Sequence, residues 1–209
     1  MENNLLPWFV VLAPLIGFFI NAFMGGNFIP RTKAVHHGAE ASHDTHGHGA
    51  HAHSAPTSGE WLSGGIATAL VLLSFLLSIV LYFQLGTISG EEKRIFSSAF
   101  YWIPTIGLPF RFVVDPLSSL MMLVITGVGS LIHLYSIGYM AGNKGFTRYF
   151  AYLNLFVFFM LLLVMGSNLI VLFVGWEGVG LASYLLIGFD YDRVAATNAG
   201  KKAFIVNRI

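Results

Sequence analysis

NLIVLFVGWEGVGLASYLLIGF, residues 168–189, is apolar for about one bilayer thickness and carries a single carboxylate, Glu177, near its centre. At about 1.5 Å of rise per residue, Glu177 lies roughly 13 Å along a helix from Asn168. A hydrocarbon core is about 30 Å thick, which puts the acid near the midplane. A charged side chain there costs at least about 2.5–3.5 kcal/mol on insertion scales, so it must face protein or water. Gly175, Gly178 and Gly180 surround it, and small residues let neighbouring helices approach closely. Tyr184, seven residues on, returns a hydroxyl to the same helical face. The functional reading is a proton- or ion-coupling carboxylate. The bland one is a structural acid, neutral or paired inside a bundle. Intramembrane ionisable residues favour the first. A carboxyl balanced between burial, which favours its neutral form, and a nearby cation, which favours its charged form, can load and release a proton.

Composition bounds the class. The 209 residues are 56% hydrophobic and only 10% charged, with mean hydropathy +0.72, which describes a polytopic membrane protein. The net charge of +1 suggests no nucleic-acid partner. With no cysteine, disulfides, thiolate metal sites and cysteine-held clusters are excluded from this chain. No phosphate loop or dinucleotide fingerprint occurs in a strand–helix context.

Working outward, the apolar spans are expected at about residues 5–23, 61–85, 117–139, 149–165 and 168–189, with a basic, shortened helix at 199–209. The first span lacks a basic leader, since Glu2 is the only charge before it, and is read as a retained helix. Pro14 falls inside it. Residues 25–60 form a polar loop with seven of the eight histidines, among them His43, His46, His48, His51 and His53. Imidazoles at that density can bind zinc, nickel or copper. The gaps hold Gly, Ala and Ser with no fixed cage, so the favoured reading is a low-complexity insert that binds metal only adventitiously. Between spans two and three, Phe110–Pro116 alternates in a way that suggests a short strand or hairpin on the membrane surface. His133, in the third span, reads either as a candidate proton relay or as a hydrogen-bonded interface histidine. Ser118, Ser119, Ser130 and Ser136 of that span can bond across helices or to their own carbonyls.

Charge asymmetry orients the chain. With the N-terminus outside, inner segments hold Arg31, Lys33, Lys144, Arg148, Arg193, Lys201 and Lys202 against Lys93, Arg94 and Arg111 outside. This satisfies the positive-inside rule, provided Lys201 and Lys202 count as loop. Eleven residues after Ala199 are too few to span about 30 Å, and the sequence is therefore expected to be the N-terminal part of a longer chain.

Four stretches resemble a known family. GWEGVGLASYLLIGF (175–189) is similar to the fifth-helix signature of the L subunit of bacterial NADH-quinone oxidoreductase, the antiporter-like part of respiratory complex I equivalent to mitochondrial subunit 5. VVDPLSSLMMLVITGVGSLIHLYSIGYM (113–140), FTRYFAYLNLFVFFMLLLVMGSNL (146–169) and AGKKAFIVNRI (199–209) agree in order and spacing. Residues 1–112 resemble the family only as two helices with a variable loop. The resemblance implies an all-α polytopic transmembrane bundle, the N-terminal part of an antiporter-like inverted-repeat fold. Residues 113–209 would begin its proton-translocating core. It implies a role in coupling quinone reduction to proton translocation. Glu177 matches the family's essential fifth-helix glutamate, and Lys202 and Arg208 match basic positions of the sixth helix. No NADH, FMN, iron–sulfur cluster or quinone is assigned to this chain. The implied partners are the M subunit and the rest of the membrane arm, in a bacterial inner membrane with the N-terminus periplasmic. The broken seventh helix and the second inverted repeat are not in these 209 residues, so this stretch is not expected to pump alone. Two rivals remain: the large subunit of a multisubunit cation/proton antiporter, which shares the core motifs, and a membrane metal-binding protein working through the His-rich loop.

Overall fold

The computed structural model describes residues 4–24, 55–88, 93–103, 105 and 107–209. The His-rich loop with His43, His46, His48, His51 and His53 lies outside the described residues, as do Arg31 and Lys33.

Among the described residues, five helices are long and apolar enough to cross a membrane, and the chain is an all-α, multi-pass bundle with a short hairpin at one end. They are α1 (Leu6–Phe19, continued by a π-helical turn Ile20–Met24), α2 (Ser58–Thr87), α3 (Pro116–Tyr139), α4 (Phe146–Met165) and α5 (Leu169–Ile187); a shorter α6 spans Val194–Val206. α2 begins three residues before the apolar run because Thr57 and Glu60 form a reciprocal capping box. The sixth helix departs most from expectation. It starts at Val194 rather than near Ala199 and stops at Val206, so Lys201 and Lys202 belong to a helix and not to a loop. VAATN carries no strong apolar period, which is why the sequence reads as loop up to Ala199 until α5 is there to pack against.

The buried stripes are made of small and polar residues. On α2 they are Ser63, Gly64, Ala67, Val71, Ser74, Ser78, Leu81 and Leu85, while Leu72, Leu73, Leu76, Val80 and Phe83 point outward. In lipid no hydrophobic drive separates helix from tail, so close packing and hydroxyl bonding select the inner face. Ser74 Oγ donates to the Val10 carbonyl across the α1–α2 contact at 2.8 Å. On α3, Thr126 Oγ1 and Ser130 Oγ turn back to the carbonyls of Met122 and Gly127. α1 packs against both α2 and α4; α5 packs against α4 on one side and α6 on the other.

The hairpin between α2 and α3 contains β1 (Ile95–Phe96), β2 (Phe100–Ile103), β3 (Leu108–Phe110) and β4 (Val113–Val114). β1 pairs with β4 and β2 with β3, both antiparallel, so one ladder nests inside the other. Gly107 turns the inner pair at φ 63°, a left-handed conformation that glycine adopts without strain. Trp8 of α1 packs edge-on to Phe112 with ring centres 4.6 Å apart and donates Nε1–H to the Ser98 carbonyl. The start of α1, the hairpin and the Gly166–Asn168 turn thus share one end of the bundle, joined also by the Phe112–Gly166 bridge.

Candidate functional site

α5 is fixed at its start by Asn168. Its Oδ1 accepts the N–H groups of Ile170 and Val171, and its Nδ2 donates to the Pro109 carbonyl at 2.9 Å. Glu177 is then the ninth residue of a helix of 19. The flanking glycines divide by face. A Cβ at Gly175 would sit 2.5 Å from the Leu163 backbone, and one at Gly178 would run into the Phe159 ring, so both lie against α4. A Cβ at Gly180 would meet the Asn207 amide on the opposite side.

α6 returns antiparallel to α5 across that second face. Gly200 lies against the Tyr184 carbonyl and Gly188, and the Phe204 ring is 5.5 Å from that of Tyr184. The Asn207 carbonyl accepts from Trp176 Nε1 at 3.0 Å. One residue further, Arg208 Nη2 reaches Glu177 Oε2 at 2.7 Å while its guanidinium lies 4.0 Å over the Phe204 ring. Tyr184 and Glu177, seven residues apart, both face α6. α6 is about 20 Å long at 1.5 Å per residue, so Arg208 arrives at mid-height of α5 rather than at its far end.

The candidate residues therefore separate. Glu177 and Arg208 form a pair, with the glutamate side chain 23% and the arginine 46% exposed. Lys202 is exposed. It lies about 200° around α6 from Gly200 at roughly 100° per residue, which turns it away from α5, and no carboxylate among the described residues meets it. His133 belongs to a different place. It is fully buried on α3, its Nδ1 lies 2.7 Å from the Gly129 carbonyl, and its ring is 6.1 Å from Phe150. Among the described residues no group of three or more His, Asp or Glu side chains could hold a metal ion.

Four residues contribute without having been singled out. Asn207 and Trp176 hold the end of α6 on α5. Asn154, fully buried on α4, donates to the Phe150 carbonyl and presses its Oδ1 against Gly17 of α1. The signal for Asn154 was in plain sight, a lone amide in FAYLNLFVFF. Glu60 is nearly buried and ties the start of α2 to the α3–α4 turn by accepting the Gly142 N–H at 2.9 Å.

A carboxylate at mid-height of α5, joined to a guanidinium just beyond the end of the antiparallel α6 within a bundle of membrane-length helices, makes this a multi-pass membrane protein with an ion pair between two of its helices. A family described as NADH-ubiquinone oxidoreductase (complex I), chain 5 N-terminus, matches residues 102–150, and one described as NADH:quinone oxidoreductase/Mrp antiporter, TM, matches residues 166–209. The chain is 49% identical over 146 residues to NADH-quinone oxidoreductase subunit L of Mycobacterium tuberculosis, a match covering 69% of this chain and 23% of that protein. It is 44% identical over 148 residues to subunit L of Neisseria meningitidis serogroup B, covering 69% and 21%. To NADH-ubiquinone oxidoreductase chain 5 of Cryptococcus neoformans it is 44% identical over 144 residues, covering 69% and 22%. Over the matched residues the chain is similar to complex I subunit L and chain 5 proteins, and it spans less than a quarter of the length of these relatives.

Proposed function

We propose that the chain is part of a proton-translocating membrane-arm subunit of an NADH:quinone oxidoreductase. In this reading Glu177 is the proton-coupling carboxylate and Arg208 sets its charge state. The observation that carries it is the Glu177–Arg208 pair at the middle of α5. The guanidinium docks 2.7 Å from the carboxylate, so a cycle that docks and releases Arg208 would change the charge beside Glu177. Lys202, facing outward, would meet a part of the assembly beyond α6, and His133 would act as a relay only through water or another helix reaching its ring. NADH, FMN, iron–sulfur clusters and quinone would bind other subunits, with the M subunit and the rest of the membrane arm as neighbours. The location would be the bacterial inner membrane, with the N-terminus periplasmic.

The test uses inverted membrane vesicles containing the whole complex. Glu177→Gln should cut NADH-driven proton uptake roughly tenfold or more, given what a positioned proton-transfer group contributes, with assembly retained. Unchanged uptake would remove Glu177 from the path. The matched description that also includes Mrp antiporters supports a second reading, a cation/proton antiporter subunit. Under it, Glu177→Gln would abolish sodium-driven proton exchange measured without NADH, and NADH would drive no uptake in vesicles of the unaltered protein.

A further inference from the structure

Arg208 reaches Glu177 by one edge of its guanidinium, through Nη2, and its side chain is 46% exposed. A long side chain held at a single edge keeps much of the rotamer freedom that ordering would remove, so the pair needs a second restraint to stay closed. Phe204 supplies one. It stands four residues before Arg208, the spacing of neighbours on one side of a helix, and the guanidinium carbon lies 4.0 Å over its ring. An aromatic face carries partial negative charge and attracts a cation without accepting a conventional hydrogen bond. The ring meets the centre of the guanidinium and Glu177 meets its edge, so the two attractions add rather than compete. The ring is itself seated: its centre is 5.5 Å from that of Tyr184 at an interplanar angle of 53°. The backbone beyond it is held on α5 by the bond from Trp176 Nε1 to the Asn207 carbonyl.

We propose that Phe204 is a positioning residue for the ion pair, its ring face holding the Arg208 guanidinium against Glu177. A residue that only filled space between α5 and α6 could be any apolar side chain of that size; this role needs the electron density of the ring. When Arg208 leaves the carboxylate, the same face keeps the cation within a side-chain swing of it. Phe204 thereby governs how readily the pair opens and closes, a regulation that rests on the coupling role proposed for Glu177.

The experiment places phenylalanine with one, two or three ring fluorines at position 204 of the full-length subunit. Fluorine draws density from the ring face with little change in size. In a membrane mimetic the unfolding equilibrium constant should rise stepwise along the series, about two- to fivefold in all, the loss expected for a cation–π contact at an exposed site. With Arg208→Gln the series should be flat, which separates the guanidinium from any change in apolarity. Phe204→Tyr should keep the energetic coupling between Glu177 and Arg208, and Phe204→Leu should weaken it. In inverted vesicles carrying the whole complex, NADH-driven proton uptake should fall in the same steps. A flat series in the otherwise unaltered subunit, an equal slope with Arg208→Gln, or uptake that ignores the series although Glu177→Gln abolishes it would each overturn the proposal. A slope in unfolding that Arg208→Gln removes, together with uptake indifferent to Glu177→Gln, would keep the positioning role and remove the coupling role instead.

Discussion

Arg208 Nη2 lies 2.7 Å from Glu177 Oε2, and the contact is made by a residue beyond the end of α6 rather than by the lysines inside it. Because the pair is partly enclosed, removing one partner leaves the other charge poorly compensated. The double substitution should therefore cost less than the sum of Arg208→Gln and Glu177→Gln taken singly. The expected coupling lies between about 1 kcal/mol, the upper end for exposed pairs, and about 3 kcal/mol, the lower end for breaking a buried one. A double-mutant cycle by chemical unfolding in a membrane mimetic measures it. Lys202→Gln paired with Glu177→Gln should show no coupling, and a coupling there equal to that of Arg208 would contradict the geometry.

Close approach of α4 and α5 depends on Gly175. A methyl group there would sit 2.5 Å from Leu163 backbone atoms, which cannot swing aside as a side-chain tip can. Gly175→Ala should therefore lower stability by about 1–3 kcal/mol, the range for overpacking, despite alanine's better helix propensity. Gly65 and Gly86 of α2 face open space, so Ala at either should be neutral or gain up to about 1 kcal/mol. Thermal unfolding of the three variants side by side checks the contrast; equal effects at all three positions would refute it.

Asp115 caps α3 in a reciprocal box with Ser118: its Oδ1 accepts the Ser118 N–H at 2.7 Å, while its own N–H donates to Ser118 Oγ. Burial alone would push its carboxyl up. The Ser118 backbone and side-chain bonds, the Arg94 charge and the Leu117 N–H outweigh burial and hold it below the ordinary value of 3.8. A folded-state value below the unfolded one means the cap contributes fully above about pH 4 and loses its contribution as pH falls through the lowered folded value. Asp115→Ala should cost about 0.5–2 kcal/mol at neutral pH. The gap to the unaltered protein should narrow in acid; a gap constant from neutral pH to pH 2 would rule out the charged cap.

The helices were legible in the sequence because each buries an apolar length that only a bilayer or a bundle accommodates. The start of α2 came earlier than hydropathy suggests because a capping box, not apolarity, begins it. α6 was misjudged for the converse reason: its inner face is Gly200, Phe204 and Asn207, a pattern defined only by the groove that Gly180 and Gly188 leave on α5. Glu177 stood out as one acid in an apolar run. Which cation meets it did not, since Lys202 and Arg208 look alike in sequence until the rotation of α6 separates them. The hairpin showed only its Phe110–Pro116 half, because its other strand pairs through backbone groups and Trp8 packing that no local period records.

Asn168 performs two jobs with two different atoms, and they can be separated. Its Oδ1 caps α5, and its Nδ2 holds the hairpin through the Pro109 carbonyl. Asn168→Ala loses both and should cost about 0.5–2 kcal/mol for the cap alone. Asn168→Asp keeps the acceptor, and a negative charge suits a helix N-terminus, but it has no donor for Pro109. The aspartate variant should therefore unfold close to the unaltered protein while amide hydrogens of β2 and β3 exchange faster. The alanine variant should show both faster exchange there and a lower midpoint. If exchange in the hairpin is unchanged in the aspartate variant, the tether does not hold that end of the bundle, and the packing of Trp8 against Phe112 must do so alone.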